Sequence, residues 1–168
     1  MPYLRLYCPE LPVKQKKLIA RELTNATMSS LKLTKDYRNR CMVRFIPIEL
    51  EDMAIDGKLL SESGEPDYHL EVSYRSLRDE QKHAFVQEVT PLLAKLLNLK
   101  QQSWLARLLR ITDPPLFRIS ILFREHSDDD FAVGGRLLSE FTPREMPTEG
   151  FAEDGHGEVL ASAAESGI

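Results

Sequence analysis

Cysteine is nearly absent from this 168-residue chain: Cys8 and Cys41 are the only two. Two cysteines over this length read as reduced cytosolic thiols rather than a disulfide framework, although a pair is possible in principle. Long apolar runs are missing too, and none approaches the ~20 residues that a membrane helix needs. The start, MPYLRLYCPELP, has no basic stretch followed by an apolar one, so it does not read as a secretory signal. His69, His83, His126 and His156 show no ligand spacing, and neither CxxC nor HExxH occurs. Gly134-Gly135 is the single glycine pair and follows acidic residues, which excludes a P-loop and a dinucleotide fingerprint. Positive charge is also short, with 22 Lys+Arg against 26 Asp+Glu. Residues 139–168 hold a net −6 of the total −4, leaving +2 for the rest, which argues against binding driven by phosphate neutralisation. The expectation is a cytoplasmic protein with no metal, no cofactor, and neither nucleic acid nor membrane as partner.

What is present is a repeated pattern. Pro2–Tyr7 alternates as a strand, with Leu4 and Leu6 on one side. Pro9 and Pro12 break it and set up a helix from Val13 to about Leu31, whose apolar stripe is Leu18, Ile19, Leu23, Ala26 and Leu31. A second strand is predicted over Arg40–Ile48, completing a strand, helix, strand unit with a right-handed crossover. Residues 49–67 read as an acidic connector with room for a short hairpin. The pattern then recurs. Tyr68–Tyr74 alternates as a strand, and the spacing Ser76-x-x-Asp79 predicts a capped helix start. Phe85, Val89, Leu92, Leu93, Leu96 and Leu97 give this helix its buried stripe, while Pro91 is expected to kink it or end it early, at a cost of ~3 kcal/mol. Residues 101–111 predict a short extra helix, and Leu116–Phe123 a fourth strand. The fold class is therefore α/β, two fused βαβ units giving a four-stranded sheet with two helices on one face. The domain is expected over residues 1–138, with the units at about 2–48 and 68–125. The acidic segment 139–168 is expected to be loosely ordered, or to pack on a neighbouring chain.

Two features carry chemistry. Methionine aminopeptidases remove Met before a small residue, which would leave Pro2 as a free secondary amine, able to act as base or nucleophile. An α-amino group titrates near ~7.7–8.0 in peptides, and burial or nearby cations favour its neutral form. Taken alone, proline at position 2 more often marks only an easily processed terminus. The second feature is Arg75-x-x-Arg78, where a strand passes into a helix. Two arginines beside the positive end of a helix suit a carboxylate, although without further context a solvated turn balanced by Asp79 and Glu80 comes first. Asp128-Asp129-Asp130 reads as a solvated turn before it reads as a cation site.

Together, Pro2 opening the first strand, two βαβ units, and arginines at the second unit's strand-to-helix turn resemble the tautomerase superfamily. The likeness is to the cis-3-chloroacrylic acid dehalogenase group, with malonate semialdehyde decarboxylase nearby, over roughly residues 2–138. Leu122-Phe123-Arg124-Glu125 and Gly135-Arg136-Leu137-Leu138 fit that group's last strand and the segment after it. The resemblance implies Pro2 as catalytic proline and Arg75 and Arg78 as carboxylate-binding arginines. It also implies a homotrimer acting on a small carboxylate. The departures are specific. The dehalogenase group's water-activating glutamate and its tyrosine align with Val133 and Leu122, and nothing titratable lies from Thr24 to Ser30, where its histidine would be. Asp36, about two residues out of register, is the one candidate for the decarboxylase's aspartate, and Arg40 could reach a pocket. The chemistry that the resemblance leaves is proton transfer on a 2-oxo acid or enol carboxylate, with Pro2 as general base; decarboxylation of the malonate semialdehyde type comes second, and a hydratase- or dehalogenase-like reaction is the further alternative. A non-catalytic trimer that binds carboxylates or a protein is the alternative of another class.

Overall fold

The computed structural model describes residues 2–63, 66–99 and 118–140. The first strand, β1 (Tyr3–Cys8), buries alternate residues, Leu4, Leu6 and Cys8, as its pattern requires. Pro12 then sits extended at the N-cap, and α1 (Val13–Ser30) begins with a main-chain bond from Lys16 N–H to the Pro12 carbonyl at 3.0 Å. Ile19, Leu23, Ala26, Thr27 and Ser30 form its buried stripe. Thr27 and Ser30 are tolerated there because each hydroxyl donates to the carbonyl four residues back, at 2.7 and 2.6 Å. After the helix, Lys32 turns the chain in the left-handed region, a 3-10 turn spans Lys35–Arg40, and β2 covers Met42–Pro47.

The connector contains the expected hairpin, β3 (Ala54–Ile55) and β4 (Lys58–Leu59), turned by Asp56-Gly57 with both φ values positive. One helical turn, α2 (Leu60–Ser63), precedes β5 (Tyr68–Tyr74). The second long helix, α3, runs Asp79–Leu96, and β6 runs Ile119–Glu125. A 3-10 turn (Asp128–Asp130) and a small hairpin of β7 (Ala132–Val133) and β8 (Arg136–Leu137) come next. A last 3-10 turn covers Leu138–Glu140.

The main sheet has the order β2-β1-β5-β6. β1 is parallel to β2 and β5 is parallel to β6, while the central pair, β1 and β5, is antiparallel with Tyr3 opposite Ser73 and Tyr7 opposite His69. Two βαβ units are thus joined edge to edge. One cluster holds Leu4, Leu6, Leu70 and Val72 from the sheet against Ile19 and Leu23 of α1 and Phe85, Val89 and Leu93 of α3, so both helices cover the same face. Phe85 meets Phe123 of β6 edge-on, with centroids 5.7 Å apart.

Three sequence expectations are corrected. The second helix begins at Asp79 rather than Ser76: Leu77 is buried and pins an extended turn, so the N-cap is Arg78. There the Gln81 side chain accepts the Arg78 N–H at 3.1 Å, replacing the Ser76–Asp79 capping pair. Pro91 does not end α3 early; the helix continues to Leu96 because Leu93, Ala94 and Leu97 beyond it are buried in the core. The strands are shifted at their ends, most clearly β2, which starts at Met42 because Lys35–Arg40 winds as a 3-10 turn, and β6, which runs on to Glu125. The helix expected over 101–111, residues 116–117 of the fourth strand and the segment from Phe141 onward lie outside the described residues. Among the described residues, no helix is long and apolar enough to cross a membrane.

Candidate functional site

Strand direction decides what meets. β1 and β2 start at one end of the sheet, and β5 and β6 finish there. That end collects Pro2, the 35–40 turn with Asp36 and Arg40, the 75–78 segment and the turn after β6. Two main-chain bonds close the last rungs: Met42 N–H to the Pro2 carbonyl at 3.1 Å, and His126 N–H to the Tyr74 carbonyl at 3.2 Å. Pro2 is fully buried. Two residues before Leu4, it lies by alternation on the helix-covered face. Cys41 flanks it on the β2 side, half-buried; burial raises its thiol pKa, with the hydroxyls of Thr24 and Thr27 on α1 pulling the other way.

Arg75 follows β5 directly. Its guanidinium is half-buried and paired with the carboxylate of Asp128. Arg78 is exposed at the N-cap of α3, so its side chain stands at the positive end of that helix. The cap is anchored from below, since the buried Gln81 also donates to the Leu31 carbonyl at 3.2 Å and ties α3 to the end of α1. Arg40 is half-buried in the 3-10 turn before β2, and Asp36 lies in the same turn. Every candidate that the sequence offers therefore falls at one end of the sheet.

The turn after β6 carries no such signal in the sequence, yet it closes the same end. His126 Nδ1 lies 3.1 Å from the Ser127 carbonyl, so Nδ1 carries the hydrogen, and the ring stacks on Phe131 with centroids 5.1 Å apart. Asp130 accepts the Ser127 hydroxyl at 2.7 Å and the Ser127 N–H at 2.9 Å, which hold its carboxyl below the ordinary range. Asp128 pairs with Arg75 through Oδ2. His126 Nε2 and Asp128 Oδ1 are buried atoms with no hydrogen-bond partner among the described residues. The one hint of His126 in the sequence is its position directly after a strand. Val133 lies in β7, and Leu122 is exposed on the face of the sheet that carries no helix. Among the described residues, no group of three or more His, Cys, Asp or Glu side chains is placed to hold a metal ion.

That uncovered face is polar. Glu71 accepts from Arg5 at 2.6 Å, from Arg124 at 3.0 Å and from the Tyr7 hydroxyl at 3.4 Å. Beside it, Arg44 lies 3.5 Å from the Tyr3 hydroxyl and Arg5 lies over the Tyr3 ring; the hydrogen bonds from Arg44 and then Arg5 lower the phenol's pKa.

No protein-family model matches the chain, and no curated protein matches it in sequence. Solved structures do. A wild-type fused 4-OT described as an asymmetric trimer superposes with a TM-score of 0.63 at 16% identity, covering 82% of this chain and 96% of that one. Pt0534, described as inactivated by 2-oxo-3-pentynoate, gives 0.63 at 13% identity with the same coverage. A member of the cis-3-chloroacrylic acid dehalogenase (cis-CaaD) family gives 0.62 at 16% identity, covering 85% and 87%. The chain has the tautomerase-superfamily fold.

Proposed function

We propose that this chain, on a tautomerase-superfamily fold, is a cofactor-independent tautomerase or isomerase that moves a proton on a small 2-oxo acid or enol carboxylate. The observation that carries the reading is the position of Pro2, buried at the start of β1 at the end where β5 delivers Arg75 and Arg78. With Met1 removed, Pro2 is a secondary amine. Burial and neighbouring arginines favour its neutral form, which suits a base working near neutrality. Arg75 and Arg78 hold the substrate carboxylate and polarise the adjacent oxygen, while Pro2 takes a proton from one carbon and returns it to another. Arg75 shares its guanidinium between Asp128 and the substrate. The uncovered sheet face, with Met42 and Leu122 exposed on it, is the surface for a homotrimer; a fused 4-OT of the same fold is described as a trimer. The protein is cytoplasmic in this reading.

The test is an intact mass of untagged protein before and after 2-oxo-3-pentynoate, a conjugated ynone acid that a neutral amine attacks. Loss of Met1, then one covalent adduct blocked by Pro2→Ala, is the expected result, together with ketonisation of phenylenolpyruvate that the same substitution abolishes. A retained Met1 makes the Pro2 nitrogen an amide without basicity and leaves a binding module. A second reading rests on Asp36, which lies in the turn at this end of the sheet: decarboxylation of a 3-oxo acid with Pro2 protonated or as an imine. Bicarbonate release from a 3-oxo acid, without ketonisation, would select it.

A further inference from the structure

We infer that His126 is the second proton-carrying group of this site, taking the hydroxyl proton of an enol acid while Pro2 serves the carbon. The inference rests on the tautomerase reading of Pro2 and adds to it a residue and a preference for the enol form. Its N–H bond to the Tyr74 carbonyl places His126 one residue past the end of β6, level with Arg75. Strands β1, β5 and β6 lie side by side, so the start of β1 and the end of β6 are ~10 Å apart with Arg75 between them. A small enol acid with its carboxylate on Arg75 spans that gap, its carbon toward Pro2 and its hydroxyl toward His126.

The ring is prepared for this. The bond from Nδ1–H to the Ser127 carbonyl fixes the tautomer, and stacking on Phe131 fixes the plane. In the neutral ring Nε2 then carries a lone pair; the atom is buried and without a partner among the described residues, and Asp128 Oδ1 in the same turn is a second such atom. Leaving a buried acceptor unpaired is costly, and the one on the imidazole suits a ligand that brings a hydroxyl donor along with the carboxylate that Arg75 holds. A 2-oxo acid in its keto form brings no such donor; its enol does. Asp130 is turned back on Ser127 and does not compete for the ring.

In the ketonising direction the step starts from the fraction of Pro2 that has taken a proton from solvent: the enol O–H bond breaks and its proton passes to Nε2. The oxygen's electron pair becomes the carbonyl π bond, and the carbon–carbon π pair takes the proton held on the Pro2 nitrogen. His126 finishes as imidazolium and Pro2 as neutral amine, and solvent returns one proton from the first to the second.

The test compares wild type, His126→Ala and His126→Gln, the last keeping size and polarity without a base should the alanine variant fail to fold. The expected result for ketonisation of phenylenolpyruvate is a loss of about a hundred-fold in kcat with KM within about threefold, and recovery in the alanine variant on adding imidazole. Labelling by 2-oxo-3-pentynoate should persist in both variants, since that addition needs Pro2 and not His126. A rate within about threefold of wild type, or a loss that imidazole does not restore, overturns the role of His126 and leaves Pro2 standing. A wild-type protein that is neither labelled nor active removes the reading of Pro2 and this inference with it.

Discussion

Arg5 Nη1 lies 2.6 Å from Glu71 Oε1 on the sheet face without helices, and the Glu71 side chain is only 4% exposed although no apolar layer covers it. Arg124 and Tyr7 complete the shield from the flanking strands. Glu71→Gln keeps the volume and leaves two arginines facing each other. Because Arg5 is 35% and Arg124 61% exposed, solvent screens much of the loss, and a cost of about 1–2 kcal/mol is expected. Urea unfolding reads it as a lower midpoint at unchanged slope; an unchanged midpoint would show that the network adds no stability.

Cys8 gives a pH dependence of known sign. Burial at the end of β1 pushes its thiol from 9.0 up to about 11. Between those values the unfolded chain has lost the proton that the folded chain keeps. The stability linked to Cys8 is therefore present below pH 9 and drains away as the pH rises toward about 11, by about 2–3 kcal/mol. Cys8→Ala should flatten that slope between alkaline unfolding curves, and a thiol reagent at neutral pH should leave Cys8 unmodified in the native protein.

Pro91 lies exposed in the interior of α3 and withholds an N–H from the helix. Pro91→Ala restores that donor and should raise stability by about 1–3 kcal/mol, read as a higher Tm. An unchanged Tm would mean that the helix has already found another partner for the carbonyl four residues back.

The two arginines should separate. The N-cap bond of Arg78 is made by its main chain, so Arg78→Ala is expected to raise KM about tenfold for a carboxylate substrate and leave Tm unchanged. Arg75→Ala removes the partner of Asp128 as well, and should lower Tm along with affinity. Equal effects of the two on Tm would contradict this division.

The strands and long helices are legible in the sequence because their signals are local: alternation in PYLRLY and YHLEVSY, and apolar residues three and four apart in both helices. The convergence of Pro2, Arg75 and Arg78 is legible only through resemblance, since it depends on β1 running against β5. Two local signals mislead. Ser76 carries the right capping letters, but burial of Leu77 holds the chain extended for three further residues. Pro91 carries a helix-breaking penalty that core contacts on both sides outweigh. Beyond its place after a strand, nothing in LFREH tells a surface histidine from one whose second nitrogen is buried, as His126 Nε2 is.

The antiparallel seam between β1 and β5 makes the two halves of the sheet near copies that point in opposite directions, so each end of the sheet receives one strand start from the centre. In the proposed reading, the start of β1 supplies the amine of Pro2. The other, at Tyr68, follows Asp67 in mid-chain, and its N–H is bound to the Arg118 carbonyl at 2.8 Å. In the proposed reading of Pro2 the two ends of the sheet are therefore chemically unlike, an amine at the start of β1 and an amide already bonded across the sheet at the start of β5.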